Sequence, residues 1–307
     1  MNSSAASLKH AVAGVDLWQW WQWARQQAQA GNVDPAEADW FLRAMSDLDS
    51  LALKLGTFRQ RPSVLIGASL EDMTERWRQR IEERVPVQYL VGFTTWRDLT
   101  IRVSPAVLIP RPETELLIDL AVSAVNQSPD AERLRRGIWV DLGTGSGAIA
   151  LGLAQALPEA QIFAIDISEA ALTIARENAH LNGLEQRITF CCGSWFTPLK
   201  GCQGQLAGVV SNPPYIPTET VKTLEPEVVN HEPSLALDGG EDGLEAIRTL
   251  SELAPDQLSP GGLWLVEMMA GQADTIKALL LQQGAYDKVQ IHADLAGIER
   301  FGLAFRK

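Results

Sequence analysis

Cysteine is scarce in this sequence, which excludes a fold built on disulfides. The 307 residues contain three cysteines, Cys191, Cys192 and Cys202, and two of them are adjacent. An odd number at this spacing gives neither an even disulfide framework nor a paired CxxC metal site. We therefore expect a protein of the reducing cytoplasm, in which Cys191 and Cys192 fill a buried strand.

Long apolar runs and metal-binding patterns of histidine are also missing. No apolar stretch reaches the roughly 20 residues that a membrane-spanning helix needs. Residues 1–10 lack the cationic and apolar segments of a secretion signal. The four histidines, His10, His180, His231 and His292, show no ligand spacing. We expect no metal, no membrane contact and no secretion.

Positive charge is in deficit, which argues against a long nucleic acid as the partner. The formal net charge is -12, whereas proteins that bind a phosphate backbone draw much of their affinity from lysine and arginine. The first quarter of the chain is richer in arginine than the rest, so the sequence is still compatible with a local basic patch in that quarter. We expect no direct contact with nucleic acid, and a small acidic protein gives no reason to require more than a monomer.

The pattern of apolar residues in the first quarter is helical. Between Val15 and Val85 apolar and aromatic residues recur at helical spacing, without strand-like alternation. This pattern predicts a small all-α N-terminal domain, residues 1–85. The tryptophan-rich segment of residues 18–23 could stack on bases or pack into the domain, and its helical spacing favours packing.

The remaining chain predicts a linker and an α/β domain. Two β-prone runs, residues 87–93 and 99–103, predict a β-hairpin linker within residues 86–110. Across residues 111–307 strands alternate with helices, which predicts βαβ units, right-handed crossovers and a parallel sheet.

A glycine-rich segment follows the first strand of this alternation. Residues 141–147 read Asp-Leu-Gly-Thr-Gly-Ser-Gly, where a buried strand enters a helix. Glycines let the backbone approach a ligand closely, and open α/β sheets bind ligands at their carboxyl edge. The segment therefore predicts a ligand-binding turn, although Gly143, Gly145 and Ala148 also fit a loose dinucleotide fingerprint.

Two later strand ends narrow the choice of cofactor. Asp166 ends the second strand and could accept both hydroxyls of a ribose, which a nucleoside cofactor of either kind presents. Ser194-Trp195-Phe196 follows the third strand, with Trp195 placed to pack on an adenine. This element and the motif after the fourth strand favour S-adenosylmethionine over a dinucleotide.

The fourth strand stops at Asn212-Pro213-Pro214-Tyr215. Two prolines cannot continue a central strand, so the chain leaves the sheet there with fixed φ angles. An amide nitrogen is a poor nucleophile because its lone pair is delocalised. The Asn212 carboxamide oxygen and the Pro213 carbonyl could accept both of its N–H bonds, and Tyr215 could wall the pocket. The motif predicts methyl transfer to a planar amide or amine nitrogen.

At this point the sequence resembles the release factor glutamine methyltransferases of the HemK type over nearly its whole length. The glycine loop and Asn-Pro-Pro-Tyr are common to many methyltransferases, but other segments are specific to this family. They are residues 86–92 (Pro-Val-Gln-Tyr-Leu-Val-Gly), 109–115 (Ile-Pro-Arg-Pro-Glu-Thr-Glu), 194–196 (Ser-Trp-Phe), 232–237 (Glu-Pro-Ser-Leu-Ala-Leu) and 239–244 (Gly-Gly-Glu-Asp-Gly-Leu).

The resemblance implies a fold, a substrate and a set of site residues. The fold is a helical N-terminal domain and a Rossmann-like, seven-stranded class I methyltransferase domain. The substrate is the glutamine side-chain nitrogen, N5, in the Gly-Gly-Gln loop of class 1 peptide chain release factors, methylated in support of translation termination. The implied cofactor contacts are Gly143, Thr144, Gly145, Ser146, Gly147, Asp166, Trp195 and Asn212, and the implied substrate contacts are Asn212, Pro213, Pro214 and Tyr215.

The resemblance also identifies a loop and a departure. Residues 111–115 look like the loop that closes over the methionine end of the cofactor. Met268-Met269-Ala270 stands where a tighter, glycine-containing turn is expected. An alternative function is methylation of an exocyclic amine of adenine or guanine, because a flipped base offers the same planar NH2 group. The acidity of the chain disfavours that alternative.

Overall fold

The computed structural model of this protein describes residues 9–307, which form two compact units. One unit contains residues 9–93 together with Pro226–His231, and the other contains Thr94–Glu225 and Glu232–Lys307. The return of Pro226–His231 to the first unit has no signal in the sequence pattern.

Helices occur in both units. The α-helices are α1 (Gly14–Ala30), α2 (Ala36–Ala44), α3 (Ser50–Leu55), α4 (Leu70–Arg78), α5 (Val87–Val91), α6 (Leu116–Gln127), α7 (Ala131–Arg136), α8 (Ala148–Ala156), α9 (Glu169–Leu181), α10 (Thr218–Val221), α11 (Pro226–His231), α12 (Glu245–Gln257) and α13 (Ala273–Gln283). A π-helical turn covers Gln79–Glu83, and 3-10 turns cover Thr57–Gln60, Glu113–Glu115 and Ser234–Ala236.

The strands form three sheets among the described residues. They are β1 (His10–Val12), β2 (Val64–Ile66), β3 (Phe93–Trp96), β4 (Leu99–Arg102), β5 (Ile138–Leu142), β6 (Gln161–Asp166), β7 (Ile188–Cys192), β8 (Leu206–Ser211), β9 (Leu258–Glu267), β10 (Tyr286–Ala293) and β11 (Glu299–Arg306).

The first unit has a core rich in aromatic side chains. Trp20, Phe41 and Trp77 are buried, and the Trp77 indole donates to the carbonyl of Ala24 at 3.0 Å. The other tryptophans of α1 are partly buried against the same core. The prediction that the tryptophan-rich segment packs into its domain is therefore confirmed.

The prediction of an all-α N-terminal domain is wrong in one respect. Strands β1 and β2 pair antiparallel, with Val12 opposite Val64. Each strand has three residues, which is too short for alternation to stand out from a helical pattern. Their pairing joins residues that are 52 to 56 positions apart in the chain, and local periodicity does not encode such a contact.

The predicted hairpin exists, but its first β-prone run is partly helical. Residues Val87–Val91 form α5, which starts after Pro86 and ends at Gly92 with φ 87°. Burial of Val87 and Leu90 on one helical face outweighs the β propensity of the segment. Strands β3 and β4 then form a two-stranded sheet around Arg97-Asp98.

The second unit is built on a seven-stranded sheet in the order β10-β11-β9-β8-β5-β6-β7. Strands β9, β8, β5, β6 and β7 are parallel, whereas β11 is antiparallel to both of its neighbours. Gly208 leaves room for the buried Trp139 ring, because a Cβ there would lie 2.3 Å from that ring. Chain order reverses at β5, the switch point where open α/β sheets bind ligands.

The register of the sheet aligns four strand ends. Leu142 is opposite Ile165 and Ser211, and Ser211 is opposite Val266. The residues that follow these four positions therefore leave the sheet at one edge. They are Gly143, Asp166, Asn212 and Glu267.

The two adjacent cysteines differ in their exposure to solvent. Cys191 is half-buried and Cys192 is exposed, because β7 is an edge strand. The prediction that both fill a buried strand is wrong for Cys192.

Within residues 9–307, no helix has the length and apolar character needed to cross a bilayer.

Candidate active site

The segment after β5 turns at three glycines. Gly143, Gly145 and Gly147 have φ angles of 72°, 53° and 84°, in the left-handed region that favours glycine. The amides of Gly143 and Thr144 both donate to the carbonyl of Ile165 at 2.9 Å, which ties the loop to β6. A Cβ at Gly145 would meet no atom within 4 Å, whereas one at Gly147 would lie 3.1 Å from Ala175 Cβ. The loop therefore has an open side and a packed side.

A buried carboxylate, that of Asp141, is hydrogen-bonded to this loop and to the helix that follows it. Asp141 is fully buried, and its Oδ2 accepts hydrogen bonds from the Thr144 hydroxyl at 2.5 Å and the Ala150 amide at 3.0 Å. Its Oδ1 has no hydrogen-bond partner. Burial raises the pKa of Asp141 to about 7. The side chain therefore holds the loop to the first turn of α8.

Asp166 fixes the next strand end. Its Oδ2 accepts a hydrogen bond from the Gly145 amide at 2.8 Å, and its Oδ1 accepts one from the Ser168 amide at 2.9 Å. Partial burial raises the pKa of this carboxyl. Each carboxylate oxygen accepts a hydrogen bond from one backbone N–H group and has a further lone pair that can accept one from a ligand hydroxyl.

A cavity of about 320 Å³ opens at this edge of the sheet. All of its lining residues belong to the second unit. They are Ala106, Val107, Leu108, Gly143, Gly145, Ile165, Asp166, Ile167, Ser168, Ala171, Gly193, Ser194, Trp195, Asn212, Pro214, Pro233, Leu235 and Ala236. An apolar cleft with a few polar groups is the usual form of a small-molecule site.

Trp195 lies on the cavity wall in an unusual backbone conformation. Its φ is 48°, which is strained for a residue with a bulky side chain. The ring is half-buried, and its Cζ3 atom would lie 3.9 Å from a Cβ placed on Gly143. The indole therefore lies beside the glycine loop, where a flat ligand could pack against it.

The side-chain amide of Asn212 has one end fixed by the protein. Its Nδ2 donates to the Thr114 hydroxyl at 3.2 Å, and Thr114 is buried. A carboxamide has donors on nitrogen and acceptor lone pairs on oxygen. With the nitrogen bonded to Thr114, the oxygen is the end that can accept a hydrogen bond from a ligand.

Tyr215 is held by two neighbours. Its hydroxyl donates to Glu267 Oε1 at 3.0 Å, and its carbonyl accepts a hydrogen bond from Gln272 Nε2 at 3.0 Å. Burial and the adjacent Glu267 carboxylate raise the pKa of Tyr215 above its usual range. Glu267 is 2% exposed, and burial raises its pKa to about 7. The phenol is therefore neutral and fixed in orientation.

The turn after β9 is closed by a side chain. Met268 is fully buried, and Gln272 Oε1 accepts a hydrogen bond from the Met269 amide at 3.0 Å. Gly271 follows with φ 91°. Glycine is thus present in this turn, one residue after the Met268-Met269-Ala270 departure.

An ion pair joins two segments that the resemblance singled out. Arg111 Nη2 lies 2.9 Å and 2.8 Å from the two carboxylate oxygens of Glu232. The Glu232 side chain is 2% exposed and that of Arg111 is 34% exposed. Burial outweighs the arginine, so the pKa of Glu232 is raised. The pair anchors the start of the 232–237 segment, from which Pro233, Leu235 and Ala236 line the cavity.

Comparison with known proteins identifies the family. A release factor glutamine methyltransferase of Synechocystis sp. is 50% identical over 296 residues, which cover 95% of this chain and 97% of that protein. One from Thermosynechococcus vestitus is 47% identical over 295 residues, which cover 95% of this chain and 99% of that protein. The chain belongs to the release factor glutamine methyltransferase family. A family model described as a methyltransferase domain matches residues 137–212.

The fold of this family member is that of the Rossmann-like class I methyltransferases. The hMettl16 catalytic domain, in complex with a MAT2A 3′UTR hairpin, superposes with a TM-score of 0.54 at 14% identity. That match covers 85% of this chain and 87% of the other. At this identity the likeness shows the fold alone. The predicted fold class, with its seven-stranded sheet, is confirmed.

The predicted site residues divide into two groups in the structure. Six line the cavity, namely Gly143, Gly145, Asp166, Trp195, Asn212 and Pro214. The other five are not among the lining residues but lie within two positions of one along the chain; they are Thr144, Ser146, Gly147, Pro213 and Tyr215. Thr144 bonds to Asp141, and Gly147 packs on Ala175, so these two shape the loop from its buried side. Their roles in binding stay predictions.

Sequence reasoning missed part of the wall and two polar residues behind it. Residues 106–108 line the cavity, but short aliphatic residues carry no chemical signal. Thr114 belongs to the 109–115 segment and Glu267 directly precedes the Met268-Met269-Ala270 departure, but sequence reasoning assigns a role to neither residue. A signal did exist for Glu267, because a carboxylate ends the otherwise apolar run of residues 263–267. Such an ending at the carboxyl edge indicates a functional position.

Proposed function

We propose that this protein transfers the methyl group of S-adenosylmethionine to N5 of the glutamine in the Gly-Gly-Gln motif of class 1 peptide chain release factors, and so supports translation termination. Membership of the family supports the protein substrate. The observation that carries the proposal is the orientation of Asn212, whose nitrogen bonds to Thr114 at 3.2 Å and leaves the oxygen as an acceptor at the cavity wall.

The cavity suits S-adenosylmethionine, which supplies a methyl group on a positively charged sulfur. Asp166 has lone pairs available for two ribose hydroxyls, and Trp195 offers a ring face for the adenine. Gly145 leaves the backbone open, since nothing lies within 4 Å of its Cβ position. These residues would hold the cofactor and afterwards its product, S-adenosylhomocysteine.

The nitrogen of the substrate amide has to be oriented towards the methyl group, and it does not have to be deprotonated by a base before transfer. Asn212 Oδ1 and the Pro213 carbonyl would accept the two N–H bonds, which directs the nitrogen lone pair towards the methyl group. Both acceptors gain strength as positive charge builds on the nitrogen in the transition state. The methylated nitrogen loses its extra proton after transfer, so no residue is assigned as a general base.

The test is mass spectrometry of release factor peptides after incubation of the purified protein and a class 1 release factor with isotopically labelled S-adenosylmethionine. We expect one labelled methyl group on the glutamine of Gly-Gly-Gln. A release factor with that glutamine changed to asparagine is the control and should stay unlabelled. Transfer to DNA or ribosomal RNA, with none to the release factor, would overturn the proposal in favour of an exocyclic amine.

A second test separates methyl transfer from cofactor binding. Asn212→Ala should keep the affinity for S-adenosylmethionine within about tenfold, or about 1.4 kcal/mol, while turnover falls much further. Asn126→Ala, at an exposed position on α6, is the control and should keep full turnover. Unchanged turnover in Asn212→Ala would contradict the role of the amide oxygen.

The same proposal assigns a role to residues 1–85, whose described part makes up most of the first unit. Residues 1–85 would recognise the body of the release factor, while residues 111–307 hold the chemistry. The protein would act as a cytoplasmic monomer, without a metal and without direct nucleic acid contact. Deletion of residues 1–85 should raise KM for the release factor and leave S-adenosylmethionine affinity unchanged, as measured by steady-state kinetics and calorimetry.

A further inference from the structure

Exposed apolar side chains of the second unit are concentrated near the candidate site. Single exposed leucines are common on protein surfaces, whereas several at one place mark an interaction surface. Among the described residues, helices α9, α12 and α13 carry one each, namely Leu181, Leu253 and Leu281. Four lie elsewhere: Ile167 and Leu235 line the cavity, and Leu295 and Ile298 lie in the turn between β10 and β11. The mechanism proposed above gives the residues of this turn no role.

The turn between β10 and β11 lies at the same edge of the sheet as the Asn-Pro-Pro-Tyr motif. Phe301 of β11 is opposite Glu267, the last residue of β9, and the two strands are antiparallel. The residues before Phe301 therefore extend beyond the end of β9, where the Arg300 carbonyl accepts a hydrogen bond from the Met268 amide at 2.8 Å. Glu267 accepts the hydrogen bond from Tyr215 of the motif. Neighbouring strands lie about 4.8 Å apart, so β11 lies about 10 Å from β8, the strand that precedes the motif.

Hydrogen bonds within the turn fix its backbone. Asp294 Oδ1 accepts hydrogen bonds from the amides of Ala296 and Ile298, both at 2.9 Å. Asp294 Oδ2 accepts one from Arg300 Nε at 2.7 Å. The Asp294 amide also donates to the carbonyl of Ile298 at 2.8 Å. The Asp294 side chain is 4% exposed, whereas Leu295 is 94% exposed. A buried carboxylate thus holds a turn that presents its leucine to solvent.

The composition of the turn indicates the kind of partner that fits it. Leu295 and Ile298 offer apolar surface, and the adjacent Glu299 is exposed, with no ion-pair partner within residues 9–307. A phosphate backbone is bound through lysine and arginine, so an apolar and acidic turn does not suit a nucleic acid. An apolar patch on a folded protein, with a cationic side chain beside it, is complementary to this turn.

The target motif itself cannot cover the turn. Gly-Gly-Gln offers no apolar side chain, and a grip on a planar amide is the same for any accessible glutamine. Contacts outside the motif are therefore needed to distinguish a release factor from other proteins. A surface close to the site and fixed in shape is suited to such contacts, because little conformational freedom is lost when it binds.

We infer that Leu295 and Ile298 dock on an apolar surface of the class 1 release factor beside its Gly-Gly-Gln loop, with Glu299 facing a cationic side chain of that surface. This inference rests on the proposed function for the identity of the partner. It concerns binding rather than methyl transfer, so the two can be tested separately.

The experiment compares the kinetics of Leu295→Ser, Leu295→Met and Glu299→Gln with those of the native protein. Leu295→Ser should raise KM for the release factor by about tenfold, because the burial of a leucine side chain is lost. It should leave kcat and KM for S-adenosylmethionine within about twofold of native values. Leu295→Met keeps the apolar surface and should retain native KM. Glu299→Gln should raise KM by about threefold at low salt and have no effect at high salt.

A matched control and a binding measurement separate the possible failures. Leu281→Ser changes a leucine of α13 that is 58% exposed and should leave every parameter unchanged. In isothermal titration calorimetry, Leu295→Ser should bind the release factor about tenfold more weakly than the native protein does.

The outcomes distinguish the inference from the proposed function. If the native protein binds the release factor without methylating it, the proposed function fails and the calorimetric affinities decide the inference. If it methylates the release factor and Leu295→Ser retains native KM and affinity, the inference is wrong and the proposed function stands. If Leu295→Ser changes only the sedimentation of the protein alone, the turn is an interface between copies and the inference is wrong. If the native protein neither binds nor methylates the release factor, both fail.

Discussion

Substitution of the three glycines after β5 and α9 should separate stability from cofactor binding. Gly145, Gly147 and Gly183 all have positive φ, between 53° and 84°. A left-handed conformation costs an alanine about 1–2 kcal/mol. Only the surroundings of the new Cβ differ. It meets nothing within 4 Å at Gly145 and Gly183, whereas at Gly147 it meets Ala175 Cβ at 3.1 Å and Ala175 Cα at 3.3 Å.

The expected free energies of unfolding follow from this difference. Gly183→Ala, away from the cavity, should lower stability by about 1–2 kcal/mol and measures the backbone effect alone. Gly147→Ala adds overpacking of about 1–3 kcal/mol and should lower stability by about 2–5 kcal/mol in total. Gly145→Ala should match Gly183→Ala in stability but weaken S-adenosylmethionine binding by more than about tenfold, because its Cβ occupies the open side of the loop.

Urea denaturation measures the three stabilities, and isothermal titration calorimetry measures the three affinities. Gly183→Ala should bind the cofactor as the native protein does. The reasoning is refuted if Gly147→Ala is as stable as Gly183→Ala, since the contact with α9 would then carry no cost. It is also refuted if Gly145→Ala binds S-adenosylmethionine with native affinity, since the open side of the loop would then not face the cofactor.

Further predictions concern the buried carboxylates. The pKa of Asp141 is raised from 3.8 to about 7, so the folded state holds this proton more tightly than the unfolded state does. Stability should fall as pH rises from about 4 to about 7, by up to about 4 kcal/mol from this group, and urea unfolding of Asp141→Asn should show a shallower decline. Arg111→Ala leaves the Glu232 carboxylate buried and unpaired, and should cost about 3–5 kcal/mol at most. Arg102→Ala removes an exposed pair with Glu177 and should cost under about 1 kcal/mol. Equal urea midpoints for these two arginine variants would contradict the importance of the Arg111 pair.

The sequence by itself determined the α/β domain and the chemistry at its edge. Alternation of strands and helices past residue 111 and the glycines of residues 143–147 are local patterns, set by backbone conformation and burial. The strand ends at Asp166 and Asn212 could be read for the same reason, since a buried strand is an apolar run and its end is marked by polar residues or proline.

Contacts between distant segments were decided only by the tertiary structure. The pairing of β1 with β2, the return of Pro226–His231 to the first unit, and the helix at Val87–Val91 depend on partners far away in sequence. The same holds for the bond from Asn212 to Thr114, which spans 98 residues. Local propensity predicts which residues follow the ends of the strands. The direction in which the Asn212 carboxamide faces is set instead by its hydrogen-bond partner, Thr114. In this protein that partner lies on another segment, and folding alone brings it there.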